Sequence, residues 1–446
     1  MMKKEQIEER LQRALALSPA DETEVLYQAQ DSALTRFARN GIHQNVAEAN
    51  AQIMVRAVAG QRVGAASTND LSDKGLAQTA ERALAHAAQQ PDDPDFPGLA
   101  APQPVQPINA SDEAVVSASP DERAAAVAHI CSLATERELE AFGAFRTGLW
   151  TIAVANSHGV MCHHRRTLAD LQATVSGEDG SGRAQVSSWR LDEIDADTVG
   201  REAVEKAVLA QQPRPLEPET MPVVLDPYAT MDIVVGLALS GGGALAVQEG
   251  RSWMIGRQGQ KVMNSLVSIW DDGRDPAGAP LPFDFEGVPK QRVDLVHQGI
   301  VGQPVYDRYT AGKADRTSTG HAMPPGHFIS GPSPINLFMA PGGSTVDELI
   351  AEVNRGLYVT RFWYTRLVQP RDCLITGMTR DGTYLIEDGR LAGPVKDLRF
   401  TQSYVKALAT VEAVGKVTKT LINEFGFSIN VPALLIGAFQ FTGRTA

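Results

Sequence analysis

Cysteine is scarce in this 446-residue chain: Cys131, Cys162 and Cys373 are its 3 cysteines. They are far apart, odd in number and without C-x-x-C spacing, which argues against a disulfide framework and points to a reducing cytoplasm. Long apolar runs are missing too. No window approaches the roughly eighteen uninterrupted apolar residues that a membrane span needs. The opening Met1-Met2-Lys3-Lys4-Glu5-Gln6 runs into a charged helical stretch, so it does not read as a signal peptide. Basic residues are in deficit, 41 Lys plus Arg against 53 Asp plus Glu, for a net charge of −12. With no long Lys/Arg run, such a chain repels nucleic acid and anionic membranes. The expectation is a cytoplasmic protein with neither as a partner.

What is present is the profile of a folded protein: 43% hydrophobic and 21% charged residues. The length calls for two or three domains. Residues 4–17 read as a helix, Glu24 to Val58 as strands around a turn at Asn40-Gly41, and residues 73–89 as an Ala-rich helix. Pro91, Pro94, Pro97, Pro102, Pro104 and Pro107 make residues 91–107 a linker or surface loop. Ser119-Pro120-Asp121-Glu122 predicts a helix start with a capping box and proline in the first turn. Residues 147–190 suggest a strand meander, followed by a helix at about 195–211. Pro213, Pro215 and Pro218 mark the clearest boundary. Beyond it, short strands, Gly-rich turns and helices give an α+β pattern with mostly antiparallel strands.

Four stretches point further when taken together. Near the start is Leu34-Thr35-Arg36-Phe37-Ala38-Arg39-Asn40-Gly41-Ile42-His43-Gln44-Asn45. Gly60-Gln61-Arg62-Val63-Gly64-Ala65-Ala66-Ser67-Thr68-Asn69 follows it. Later come Ser318-Thr319-Gly320-His321-Ala322 and a long run from Gly356 through Thr376-Gly377-Met378-Thr379-Arg380-Asp381-Gly382 to Ile386-Glu387-Asp388-Gly389. Each alone is ordinary turn chemistry; in this order, across nearly the whole chain, they resemble the TldD/PmbA metalloprotease family. Thr379 to Glu387 reads as strand, tight turn at Asp381-Gly382, strand, with another turn at Asp388-Gly389.

The resemblance implies an α+β fold: an α/β N-terminal half and a larger, mostly antiparallel, β-rich C-terminal domain, drawn as 1–100, 115–212 and 219–446. It also implies two kinds of subunit. One carries H-E-x-x-x-H on a helix and a cysteine near the C-terminus, and binds zinc as a protease. The other, the TldE (PmbA) type, lacks these ligands and pairs with the first. Two imidazoles on successive helical turns hold the metal, and the glutamate acts as base on the metal-bound water. None of the 9 histidines here is followed by Glu. Aligning on Glu249-Gly250-Arg251-Ser252 and Gly259-Gln260-Lys261-Val262 places Val235, Gly236 and Ser240 where the motif has His, Glu and His. No cysteine follows Cys373. The chain thus resembles the TldE type, with no cofactor of its own and zinc in a TldD-type partner. The implied assembly is a heterodimer with that subunit, or a homodimer, enclosing a cavity for unfolded or extended peptides. His321, Arg380 and Asp381 are candidate cavity-lining residues.

Rival chemistries fit these residues less well. Ser240-Gly241-Gly242-Gly243-Ala244 could present amides to an oxyanion, but no G-x-S-x-G elbow accompanies it, and close backbone packing is the plainer role. Cys162-His163-His164 is a poor chelating set, because adjacent strand residues point to opposite faces. Trp270-Asp271-Asp272-Gly273 with Asp275 reads as a hairpin. Phe362-Trp363-Tyr364 suits core or interface packing better than nucleic acid. Two other functions stay open: an autonomous homodimeric peptide-binding protein, and a hydrolase with an unfamiliar metal site.

Overall fold

The computed structural model describes residues 2–423 and 426–444. The N-terminal half runs α1 (Lys4–Leu17), β1 (Glu22–Ala38), β2 (Gly41–Ala59), β3 (Arg62–Thr68), α2 (Asp73–Ala88), α3 (Glu113–Ser117), α4 (Pro120–Thr135), β4 (Glu140–Asn156), β5 (Met161–Ser176), β6 (Ser181–Ser188) and α5 (Ala196–Leu209). Its six strands form one antiparallel sheet in the order β3-β2-β1-β4-β5-β6. The segments 1–100 and 115–212 therefore contribute three strands each to the same sheet. α1 and α2 pack over the β1–β2 side, burying Ile7, Leu11, Leu76 and Ala80 with Val25 and Ile53. α4 and α5 cover the β5–β6 side through Val127, Ile130, Ala203 and Ala207. α4 starts as its sequence dictates: Ser119 Oγ accepts from Glu122 N at 3.1 Å, Glu122 returns to Ser119 N at 2.7 Å, and Pro120 needs no amide partner. The proline-rich residues 91–107 form neither helix nor strand.

After Pro213–Pro218 the chain continues as β7 (Thr220–Leu225), α6 (Pro227–Gly241), α7 (Ala244–Gln248), β8 (Ile269–Asp271), β9 (Val293–His297), β10 (Ile300–Val301), α8 (Arg308–Lys313), β11 (Asn336–Met339), α9 (Val346–Ala351), β12 (Arg355–Gln369), β13 (Leu374–Glu387), β14 (Arg390–Pro394), β15 (Leu398–Ser403), α10 (Tyr404–Ala409), β16 (Val411–Ile422) and β17 (Ser428–Arg444). These strands make an 11-stranded sheet. Its pairs are antiparallel except β11–β17 and β12–β7. β7 pairs with β12 on one side and β17 on the other, so β17, β15, β13, β12 and β7 close on themselves. The α+β expectation, with the larger β-rich part C-terminal, matches this architecture. α6 packs on β12 and β17, burying Ile233, Val234, Leu237 and Ala238 in the main core. Asp226 caps it, accepting from Tyr228 N, and Pro227 opens its first turn.

Two local expectations need correction. Thr379 to Glu387 is not a hairpin: β13 runs unbroken through Asp381 and Gly382. Both have positive φ, 57° and 124°, the conformation a tight turn would also use. Here, however, β12 pairs on either side of them, Val359 with Thr383 and Arg361 with Arg380, so they form a bulge opposite Thr360. The Thr360 hydroxyl ties it down, 2.9 Å from Asp381 O. Similarly, Trp270–Asp275 is not a two-stranded hairpin. Asp272 to Asp275 do turn, but the antiparallel neighbours of β8 are β9 and β11, distant in sequence. The turns at Asn40-Gly41 and Asp388-Gly389 are as expected, with Asn40 at φ 59° and Asp388 at 50°.

Candidate functional site

Val235, Gly236 and Ser240 share α6. Val235 and Gly236 lie on its half-buried face and Ser240 is buried. Asp232, one turn earlier, gives that face its polar centre. It accepts from Tyr404 Oη at 2.6 Å and from Thr365 Oγ1 at 2.9 Å. Burial, then the adjacent Asp232 charge, holds the Tyr404 phenol well above its ordinary value, so it stays a donor.

Gly236 faces the same ring. A Cβ there would come within 2.8 Å of Tyr404 Cδ2 and Cε2. The Tyr404 side chain thus fills the space into which a residue at 236 would project. Ser240 Oγ lies 3.1 Å from Cys373 Sγ. Cys373 is fully buried, and burial pushes its thiol up to about 12. A neutral thiol is a poor metal ligand, since zinc binds the thiolate.

The donor set around the motif positions is therefore an aliphatic side chain, a glycine, a hydroxyl and a protonated thiol, with Asp232 engaged by two hydroxyls. This set does not fit zinc. Among the described residues, no group of three or more His, Cys, Asp and Glu side chains could hold a metal ion. Beside the C-terminal end of α6 lies a cavity of about 360 Å³, lined by Ala238, Leu239, Gly243, Arg251, Phe328 and Pro332 among others. At Gly243 in its wall two backbones approach closely: a Cβ there would meet Pro332 O at 2.0 Å.

The other candidates lie elsewhere. His321 is fully buried and bridges Thr319 to Asp271, with Nδ1 3.0 Å from Thr319 Oγ1 and Nε2 2.8 Å from Asp271 Oδ1. Asp271 Oδ2 accepts from Ile335 N at 2.7 Å and Asn336 N at 2.8 Å. Burial, reinforced by Lys290, depresses the His321 pKa and favours the neutral imidazole, which donates to the carboxylate. These contacts pin the 318–322 loop to β8 and β11.

Asp381 is buried in the β13 bulge, accepting from Ser181 Oγ at 2.8 Å and lying 2.9 Å from Arg361 Nε. It lines a second cavity of about 410 Å³ between the β5–β6 turn and the β14–β15 loop. Arg380 is half exposed, its guanidinium 5.6 Å from the Trp363 ring centroid. The structure thus brings Arg380 and Asp381 together but places His321 with Asp271. On β5, Cys162 Sγ contacts Gly287 O and His164 Nε2 contacts Pro280 O, while burial, then Lys4 of α1, lowers the pKa of His163 on the opposite face, as strand alternation requires. Sequence reasoning missed Asp232 and Tyr404; the available signal was one acidic residue in an otherwise apolar helix.

Three family models match in order: PmbA/TldA metallopeptidase domain 1 over residues 23–87, the central domain over 109–211 and the C-terminal domain over 218–443. Metalloprotease PmbA of Escherichia coli O157:H7 is 25% identical over 401 residues, 84% of this chain and 83% of that protein. The Metalloprotease PmbA homolog of Haemophilus influenzae is 27% identical over 372 residues, 80% and 78% of the two chains. The crystal structure of TldE from Thermococcus kodakarensis superposes with a TM-score of 0.89 at 20% identity, over 98% of this chain and 100% of that one. With the three domain models in register from residue 23 to 443, this chain belongs to the TldD/PmbA metalloprotease family.

Proposed function

We propose that this chain is a TldE-type subunit: a non-catalytic partner that binds no zinc itself and completes a zinc metalloprotease by pairing with a TldD-type, H-E-x-x-x-H-bearing subunit. The substrate class is unfolded or extended peptide. The observation that carries this reading is the α6 face, where Val235, Gly236 and Ser240 supply no imidazole and no base and Tyr404 fills the space beside Gly236. A peptidase centre of this kind needs two imidazoles, a third ligand and a general base together; this face offers no imidazole, and its one carboxylate, Asp232, is engaged by the Tyr404 and Thr365 hydroxyls. The likeness to a TldE fold supports the same assignment. Cytoplasmic residence belongs to the proposal; among the described residues, no helix is long and apolar enough to cross a membrane.

The test is co-purification with the sister subunit, with elemental analysis of each chain. The expected result is a stable complex whose zinc resides in the sister, and a lone chain without stoichiometric zinc. Stoichiometric zinc in the lone chain would revive an independent hydrolase. Failure to form the complex, together with tight peptide binding by the lone chain, would favour the autonomous binding protein.

A further inference from the structure

Beyond Phe362, which stacks on Phe439 in the core, β12 stays paired with β13 but its side chains become exposed. Trp363, Tyr364, Leu367 and Val368 are 42%, 63%, 44% and 54% exposed. This is the densest run of exposed large apolar side chains among the described residues. Three arginines are laid over it. The Arg361 and Arg380 guanidinium groups lie 4.7 and 5.6 Å from the Trp363 ring centroid, and Arg366 lies 4.5 Å from that of Tyr364. Exposed aromatics interleaved with arginine are the composition of interface hot spots rather than of ordinary surface.

The backbone narrows what can dock. β7 pairs with the outer edge of β12 only at Leu357–Val359, and among the described residues no other strand pairs with the remainder of that edge. Yet Tyr364 has φ 55°, and the β12–β13 register shifts between Trp363 and Arg366. Such a bulge spoils regular strand addition, so side chains rather than main-chain pairing recognise the occupant.

Charge then selects among occupants. Arg361 is paired with Asp381, but Arg366 and Arg380 keep the patch basic, and a two-fold contact that set it against itself would oppose like charges. The complement is a surface both apolar and acidic. The patch is also tied to the α6 face, through the Thr365–Asp232 hydrogen bond of 2.9 Å. We infer that the Trp363–Val368 ribbon is the docking surface for an acidic, apolar face of the zinc-bearing sister subunit, an inference that rests on the partner role proposed above.

The experiment measures binding of the purified sister subunit to the full chain, to Tyr364→Ala/Leu367→Ala and to Arg366→Glu. All three positions are exposed, and circular dichroism with thermal melts confirms that each variant folds. The expected result is at least ~10-fold weaker association for both variants, with a shallower salt dependence for Arg366→Glu. Variants that bind the sister as tightly as the unsubstituted chain would overturn the inference while leaving the partner role intact. So would variants that lose only an extended peptide, or a lone chain that dimerises until Tyr364→Ala/Leu367→Ala dissociates it. An unsubstituted chain that never binds the sister would end both readings.

Discussion

The Ser240 hydroxyl donates to the Cys373 sulfur at 3.1 Å, joining the C-terminal turn of α6 to the residue just before β13. Cys373 has φ 44°, and its carbonyl accepts from Tyr404 N at 3.0 Å. Tyr404 in turn packs on Gly236 and donates to Asp232. Ser240, Cys373, Tyr404, Gly236 and Asp232 thus form one interlocked cluster on the α6 face to which we assign the degenerate motif. The cluster is packed for stability, and Asp232 takes a further hydrogen bond from Thr365 outside it.

That packing predicts the cost of restoring the motif. Placing a side chain at 236 drives it into the Tyr404 ring. Gly236→Ala is expected to lose about 1–3 kcal/mol of stability, the usual range for overpacking, and Gly236→Glu more, since it also brings a second carboxylate near Asp232. Urea denaturation of the two variants checks this. Unchanged midpoints would show that Tyr404 moves aside freely.

His321 is predicted to be structural. His321→Ala removes the donor to a fully buried carboxylate, so a loss of about 2–3 kcal/mol is expected, with the 318–322 loop opening first. Hydrogen exchange at Ala322, and at Ile335 and Asn336, whose amides donate to Asp271, reads the effect locally. If the variant kept full stability but lost peptide binding by the assembled protein, His321 would line the cavity after all.

A third prediction concerns pH. Arg56 links the two halves of the molecule, donating to Glu24 at 2.9 Å and to Glu286 at 3.1 Å. Burial is the main cause that pushes Glu24 up to about 7; Arg56 opposes it and the Glu286 charge adds to it. Between its ordinary value of 4.5 and about 7, Glu24 holds a proton in the folded chain but not in the unfolded one. Its contribution to stability is therefore full below the lower value and is lost as pH rises through the upper one. Glu24→Gln should flatten that part of the stability profile, as measured by urea midpoints at about pH 5 and about pH 8. An equal difference between variant and parent at both values would contradict it. Asp284, nearby, is also pushed up to about 7 by burial, but its oxygens accept from Glu286 N, Val288 N and Ala322 N, and we assign it the charged form.

Local chemistry was legible in the sequence and distant pairing was not. Ser119, Pro120 and Glu122 specify the start of α4 because all the atoms involved lie within one turn. Asp381-Gly382 misled because a tight turn and a bulge use the same positive φ; only the pairing with β12 on both sides tells them apart. The motif positions proposed on α6 rest on flanking residues alone. What fills them could not be read, because Tyr404 reaches Asp232 from 172 residues away. The same limit hid the partner of His321, 50 residues upstream at Asp271.

The central claim, that this chain completes a peptidase without performing the chemistry, is tested most directly by reconstituted cleavage of an unfolded peptide. The chain alone, the zinc-bearing sister alone and their mixture are assayed side by side. The account predicts no cleavage by this chain, little by the sister and full activity on mixing. Full activity of the sister alone, or zinc-dependent cleavage by this chain alone, would contradict it.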